Sequence, residues 1–137
     1  MEKIRVDVAW CEKNFSASLG ENVPGAVAFA ADSFSELQRE AQESLEFHVE
    51  GMLADGDDVP QWLKDGDYTF EYRFLDATSL LRAYEPYISL VAISRASGIN
   101  QHQLSHYANG IKRARPLQRE RIVAGIHKIG KELMALV

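Results

Sequence analysis

Three consecutive residues, Gly98, Ile99 and Asn100, constrain the fold of this chain more than any other part of it. They stand in the middle of ISLVAISRASGINQHQLSHYANGIKRAR, which covers residues 88–115. Glycine adopts the left-handed conformation that ends a helix, isoleucine can plug a corner, and asparagine is a favourable N-cap for the next helix. Leu104 and Tyr107 then lie three residues apart, on one buried face. The spacing predicts two helices joined by a tight turn.

The second of these helices would expose short polar side chains and no carboxylate, and a basic loop follows it. A helix-turn-helix of this kind reads the DNA major groove. An ordinary helical hairpin with a polar surface is the alternative. Ser94 and Ser97 depart from the pattern, because such motifs usually bury an alanine and a larger apolar residue there. The predicted DNA-binding residues are Asn100, Gln101, His102, Ser105, His106, Asn109, Lys112, Arg113 and Arg115.

Charge divides the chain into two halves of opposite sign. Residues 1–75 contain six Lys and Arg against sixteen Asp and Glu, a net charge of −10. Residues 76–137 contain nine against four, a net charge of +5. The basic half suits a phosphate backbone, whereas the acidic half suits a cationic protein surface. We therefore predict two domains, an acidic one over residues 1–75 and a basic one over residues 76–137.

The hydrophobic pattern predicts an α+β chain. In the N-terminal half it indicates the order β-β-β-α-β, with one helix lying across a small sheet. In the C-terminal half it indicates helices only, with an opening helix that stops before Pro86 and a final helix that starts at Pro116. The N-terminal elements are predicted at 3–10, 15–19, 26–30, 33–53 and 68–74, with Ser33 and Glu36 as a capping box and the stretch ADGDDVPQWLKDGD as a loop.

The final helix has two apolar stripes, which is more than a small helical domain needs. One stripe would fill the domain core, and the other predicts a subunit contact and hence a dimer or a higher homo-oligomer. The stripes consist of Ile122, Ile126, Ile129 and Leu133, and of Val123, Gly130, Met134 and Val137.

Several classes of protein are disfavoured by the composition. The chain has no long apolar run, so we expect no membrane span, and its N-terminus lacks a signal-peptide core. The single cysteine, Cys11, permits no internal disulfide and suits a reducing cytoplasm. His102 and His106 could bind a metal on one side, but no third ligand is near them in the sequence. We predict no metal or other cofactor.

The chain resembles HicB-type antitoxins, the partners of HicA toxins in bacterial toxin–antitoxin pairs. The resemblance lies in VPGAVAFAADSFSELQREAQESLEFHVEG after two strands, followed by the Gly98-Ile99-Asn100 corner and ANGIKRARP. It implies a partial ribonuclease-H-like domain that blocks a small, basic RNA-cleaving toxin. It further implies a helix-turn-helix domain that represses its own operon by binding operator DNA.

Under this hypothesis the acidic domain contacts the toxin through charged groups and one aromatic anchor, and association should weaken with added salt. Trp62 is the large aromatic residue of a polar loop, although it could equally fold back on the sheet. The candidate toxin-binding residues are Glu43, Glu46, Glu50, Asp55, Asp57, Asp58 and Trp62.

Two alternatives remain open at the level of sequence. One is a stand-alone repressor whose N-terminal domain senses a small ligand. The other, weaker, is a metal-dependent nuclease, since Asp7, Glu71 and either Glu40 or Glu43 could be imagined around two cations. Because carboxylates are abundant in this half, such a set arises easily by chance, and we expect no enzymatic activity.

Overall fold

The computed structural model describes residues 1–137 as an α+β chain of two compact units, Met1–Leu75 and Asp76–Val137. The first unit combines a sheet with two helices, and the second is entirely helical. The elements are β1 (Glu2–Cys11), β2 (Asn14–Leu19), β3 (Ala28–Ala31), α1 (Phe34–Ala54), α2 (Gln61–Lys64), β4 (Tyr68–Phe74), α3 (Ala77–Tyr84), α4 (Leu90–Ser97), α5 (Gln101–Ala108) and α6 (Pro116–Met134).

The sheet of the first unit is mixed and has the order β3-β2-β1-β4. Strands β1, β2 and β3 pair antiparallel, whereas β4 returns parallel to β1 after the helical connection. Alternation along β1 buries Ile4, Val6 and Val8 on the face that α1 covers. The opposite face carries polar residues, where Arg5 is paired in register with Glu71. The alternating pattern therefore positions the apolar face correctly on both β1 and β4.

Helix α1 lies across the apolar face of the sheet, and its start and buried positions agree with the prediction. Leu37, Ala41 and Leu45 are fully buried at helical spacing. The Ser33 hydroxyl accepts a hydrogen bond from the Glu36 backbone N–H at 3.2 Å. The Glu36 carboxylate accepts from the backbone N–H of Asp32 rather than from that of Ser33, so only half of the predicted capping box forms.

Two features of this unit differ from the prediction by more than one residue at the end of an element. Strand β3 begins at Ala28 instead of residue 26, because Pro24 and Gly25 hold the preceding segment against α1. The stretch predicted as a loop contains the short helix α2, which starts after Pro60 and buries Leu63. Leu63 packs on the core with Val59 and Trp62 beside it. A helix of four residues is too short for hydrophobic periodicity to detect.

The helices of the second unit begin and end at capping residues. Asp76 and Ser89 each accept a hydrogen bond from a backbone N–H in the first turn of α3 and α4. Pro116 stands in the first turn of α6, as predicted. The core of this unit is formed by Ile93, Leu104 and Ile122, all without exposed surface.

The connection between α4 and α5 has the predicted features. Gly98 has φ of +75°, Ile99 is 3% exposed, and the Asn100 side chain accepts from the His102 backbone N–H at 2.8 Å. Ser94 and Ser97 add to the turn, because the Ser94 hydroxyl donates to the Ile99 carbonyl and Ser97 Oγ accepts from the Ile99 N–H. The two serines that depart from the usual pattern therefore fix the backbone of the turn.

Helix α6 packs against α4 at a point where neither helix has a large side chain. Gly125 is buried, and a Cβ added to it would lie 3.0 Å from the Ser97 Cβ. Toward the C-terminus the apolar stripes leave the core, and Leu133 and Met134 are exposed. None of the helices in the structure has the combination of length and apolar character that crossing a bilayer requires.

Candidate functional site

The outer face of α5 is formed by polar side chains of moderate length. Gln101, His102 and Asn109 are exposed, whereas Ser105 and His106 are half-buried. Leu104 and Tyr107 face inward and anchor the helix on the core. The predicted set is therefore brought together on one helix surface, with Asn100 serving as the cap at its N-terminus. No Asp or Glu belongs to residues 86–119, so this surface carries no negative side chain of its own.

Asn109 has a structural role at the other end of α5. It is the C-cap residue, and its Nδ2 donates to the Ser105 carbonyl at 2.9 Å. The residue is exposed, and this hydrogen bond uses its Nδ2 and not its Oδ1. The amide oxygen can therefore accept a hydrogen bond from another molecule.

The C-terminal carbonyls of α5 are held by side chains from α3. Thr78 Oγ1 donates to the Tyr107 carbonyl at 2.6 Å, and Arg82 Nε donates to the Ala108 carbonyl at 2.8 Å. Helix C-termini leave such carbonyls without intrahelical partners, so these bonds fix the end of α5. Sequence reasoning missed Thr78 and Arg82, because nothing in the sequence tells which helix a polar side chain will meet.

Cations are concentrated in the loop behind α5. Lys112, Arg113 and Arg115 are all exposed, and the loop begins at Gly110, which has φ of +71°. Arg121 on α6 donates to the Ser97 carbonyl at 3.3 Å, next to the α4–α5 turn. This second unit therefore combines a neutral hydrogen-bonding helix face with exposed positive charge beside it.

His102 and His106 stack on the surface of α5. Their ring centroids are 4.3 Å apart and the rings are tilted by 59°. No group of three or more His, Cys, Asp or Glu side chains in the chain is arranged to hold a metal ion. An imidazole ring can act as a hydrogen-bond donor and as an acceptor.

The acidic residues predicted to bind a partner are distributed over two sides of α1. Glu43, Asp55 and Asp57 line one cleft beside β3. Glu46 accepts from the Gln42 amide, which also donates to the Tyr68 hydroxyl at 2.9 Å, so Glu46 lies on the β4 side. Glu50 and Asp58 are exposed and do not line this cleft.

Trp62 packs against the sheet. Its ring makes an edge-to-face contact with Tyr68 at a centroid distance of 6.4 Å, and the residue is half-buried beside the core formed around Leu63. Of the two interpretations drawn from the sequence, the structure agrees with a tryptophan that folds back on the sheet. Because part of Trp62 is exposed, a contact between this residue and a partner protein stays a prediction.

A tether fixes the segment that precedes β3. His48 on α1 is half-buried, and its Nε2 lies 2.6 Å from the Pro24 carbonyl oxygen. Gly25 has φ of +82°, and a Cβ added there would lie 2.9 Å from the His48 Cε1. His48 is thus a packed histidine with a hydrogen-bond partner in the neighbouring segment.

The carboxylates imagined as a two-metal site are not brought together. Asp7 and Glu71 belong to the sheet face that α1 does not cover, whereas Glu40 and Glu43 belong to α1. Glu71 is instead 3.8 Å from the Arg5 guanidinium, in an exposed ion pair. Asp7 is half-buried and its Oδ1 has no hydrogen-bond partner, but it belongs to no group of three or more side chains that could hold a metal ion.

Sequence reasoning also missed Phe47. This residue lies on the outer side of α1 and is 78% exposed, between Glu43 and Ser44 on one side and Gly51 on the next turn. A large aromatic between charged residues on a helix gives a signal that could have been used, because it breaks the amphipathic pattern of α1.

The chain was compared with protein-family models, with curated proteins and with solved structures, and none of these comparisons produced a match.

Proposed function

We propose that this protein is an antitoxin that neutralises a small, basic, RNA-cleaving toxin and represses its own operon by binding operator DNA. In this proposal the first unit is a partial ribonuclease-H-like domain that covers the toxin, and the second is a helix-turn-helix domain. No catalytic residue and no cofactor is assigned. The mixed sheet with its covering helix is compatible with the first assignment, and the α4–turn–α5 geometry is compatible with the second.

The observation that carries the proposal is the outer face of α5. Gln101 and His102 are exposed in its first turn, the part of a recognition helix that reaches base edges. Amide and imidazole groups can form hydrogen bonds with those edges, and exposed Lys112 and Arg113 supply phosphate contacts beside them. An exposed helix face without carboxylates, next to a basic loop, is well suited to a polyanion.

The acidic unit supplies the second half of the proposal. A toxin that cleaves RNA must present a positive surface to its substrate, and a domain of charge −10 can occupy that surface as a competitor. The acidic groups are exposed on α1 and on the loop that follows it, so they are accessible to another protein.

Operator binding is proposed to require a dimer. The exposed apolar end of α6, with Leu133 and Met134, is the candidate subunit contact. A two-fold dimer would place two α5 helices about 34 Å apart, one turn of DNA. The mass of the pure protein in solution measures this association directly.

Co-expression tests the function as a whole. A short basic protein encoded beside this chain would arrest growth when expressed alone, and the full-length chain should restore growth and be recovered in complex with it. The same complex should shift DNA from the region upstream of the two genes. Growth arrest that the full-length chain does not relieve, with the protein folded, would refute the antitoxin function.

A further inference from the structure

Two adjoining clefts form one trough between α1 and the edge of the sheet. The larger, of about 730 Å³, includes Ala28, Phe47 and Asp57, and the smaller, of about 230 Å³, lies between Ala30 and α1. Glu40 and Glu43 line both clefts, so the two are continuous. The trough therefore runs along β3, and its α1 side carries carboxylates, with Arg39 as the one cation of the smaller cleft.

Strand β3 is an open edge of this sheet. It pairs with β2 on one side only, and it ends the order β3-β2-β1-β4. The Leu19 N–H donates to the Val27 carbonyl, so the alternate residues Ala28 and Ala30 direct their backbone groups away from β2. Both alanines are exposed, and the strand AFAA has no charge and no proline of the kind that protects sheet edges. The edge can accept another strand.

Phe47 supplies an apolar contact within an otherwise acidic surface. It is 78% exposed at the rim of the trough, where Glu43 and Asp55 line the same cleft. An exposed aromatic surrounded by charges of one sign suits a partner with one apolar side chain among opposite charges.

We propose that an extended, cationic segment of the partner protein adds to β3 as a further strand and fills this trough. Its backbone pairs with Ala28 and Ala30. Its lysine and arginine side chains on the helix side face Glu40 and Glu43, and one apolar side chain packs on Phe47. This inference rests on the proposed function, because it assigns the toxin's contact to a particular edge of the acidic unit.

Charge favours such a partner over a second copy of the chain. Two copies joined at β3 would bring two units of charge −10 together, with Glu40 and Glu43 of both copies near the contact. The same charge attracts a cationic strand. Strand addition through main-chain hydrogen bonds, with side-chain pockets for specificity, is an established mode of peptide recognition.

The first experiment uses a synthetic peptide as the probe of the trough in the full-length chain. The peptide alternates lysine and valine over nine residues, with phenylalanine at the centre. A second peptide of the same sequence carries N-methyl groups on alternate backbone nitrogens, on the edge that would pair with β3. We expect the first peptide to bind and the methylated one to bind about tenfold more weakly, since the methyl groups remove main-chain donors. Equal binding of both peptides, or no binding of either, would overturn the proposal.

Matched variants locate the site on the protein. Glu40→Gln with Glu43→Gln removes two charges from the trough, and Glu2→Gln with Glu12→Gln removes two charges from exposed positions of the same unit outside it. Phe47→Ala is matched by Leu53→Ala, at a side chain that is 49% exposed and outside both clefts. The trough variants should weaken peptide binding about threefold to tenfold, and their controls should change it less than twofold. Equal losses in the two charge variants would assign binding to overall charge and overturn the proposal. Equal losses in Phe47→Ala and Leu53→Ala would overturn the assignment of the apolar contact to Phe47.

The same variants, co-expressed with the basic protein encoded beside this chain, separate this inference from the proposed function. Trough variants that no longer rescue growth, while their controls do, support both. Rescue by all variants would keep the antitoxin function and reject the trough. Failure of the unaltered chain to rescue growth would reject the antitoxin function, whatever the peptide binds.

Discussion

Helices α1 and α5 each pack an apolar face on a core and expose a polar face to solvent. The two exposed faces differ in their chemistry. Along α1 the charge lies on the helix itself, in Glu40, Glu43 and Glu50, with Phe47 among them. Along α5 the helix face is neutral and polar, and the charge lies in the loop after it. The same type of element thus presents an acidic surface in one unit and a neutral surface of hydrogen-bonding side chains in the other.

The two helices also differ in how they are fixed. Helix α1 is buried along its length against the sheet, and His48 fixes the neighbouring Pro24 segment to it. Helix α5 has two turns, and its end depends on Thr78 and Arg82 of α3. A long helix can therefore tolerate charge replacements on its surface, whereas the short helix depends on individual hydrogen bonds at its end.

The largest effect is expected at the neutral face of α5. Replacing Gln101 and His102 by alanine should weaken operator binding by about 1–3 kcal/mol for each lost base contact, because each removes a hydrogen-bonding group. Titration of operator and unrelated DNA measures the loss and the drop in specificity. Gln38→Ala with His127→Ala removes the same residue types from exposed positions elsewhere and should leave binding unchanged. An unaltered operator affinity in the folded α5 variant would contradict DNA reading by this helix.

The next effect concerns the tether in the acidic unit. Gly25→Ala should destabilise this unit by about 2–4 kcal/mol, because the residue has positive φ and the new Cβ meets the His48 ring. Gly56 also has a positive φ, of +76°, but open space surrounds it. Gly56→Ala should therefore lower the stability of the unit by only about 1–2 kcal/mol. Trp10 and Trp62 both belong to this unit, so urea unfolding followed by tryptophan fluorescence reports on it alone. Equal losses would indicate that the His48 ring moves away without cost.

A smaller effect is expected at the end of α5. Thr78→Val keeps the shape of the side chain but leaves the Tyr107 carbonyl without its donor, which should cost the helical unit about 1–2 kcal/mol. Thr78→Ser keeps the hydroxyl and should retain most of the stability. Hydrogen exchange at residues 105–109 measures this opening, and tryptophan fluorescence should be unaffected. Similar exchange in both variants would mean that the hydrogen bond does not hold the helix end.

The smallest effect is expected in the basic loop. Arg113→Ala should weaken operator and unrelated DNA alike, and should lower the slope of log affinity against log salt by about 0.9. Arg39→Ala removes the same charge from the acidic unit and provides the control. A slope that falls equally in both variants would assign the salt dependence to net charge instead of to a phosphate contact.

Local patterns predicted the elements that depend on neighbours in the sequence. Alternation in β1 and β4, the spacing of Leu37, Ala41 and Leu45, and the Gly98–Asn100 corner all agree with the structure. Helix α2 was missed because its stability comes from Leu63 packing on a core formed by distant residues. The start of β3 was misplaced because the Pro24–Gly25 segment before it is held against α1 by His48, which is distant in the sequence.

The candidate surfaces were predictable to different extents. The outward set on α5 follows from helical periodicity once Leu104 and Tyr107 are placed inward. The acidic residues were found by composition, but composition could not divide them between the β3 side and the β4 side of α1. That division depends on how the helix is rotated against the sheet.

The amino-acid sequence alone was sufficient to predict the period of the longer elements, the cap residues Ser33 and Asn100, the sign of charge in each half and the side chains that face outward from α5. These depend on backbone conformation and on interactions within a few residues. Three further features follow from the packing of distant elements: β3 is an open edge beside Glu40 and Glu43, Thr78 contacts the end of α5, and Asp7 and Glu71 lie apart from Glu40. Strand order and helix packing bring together residues far apart in the chain, and such proximity is set by the whole core instead of by any local pattern.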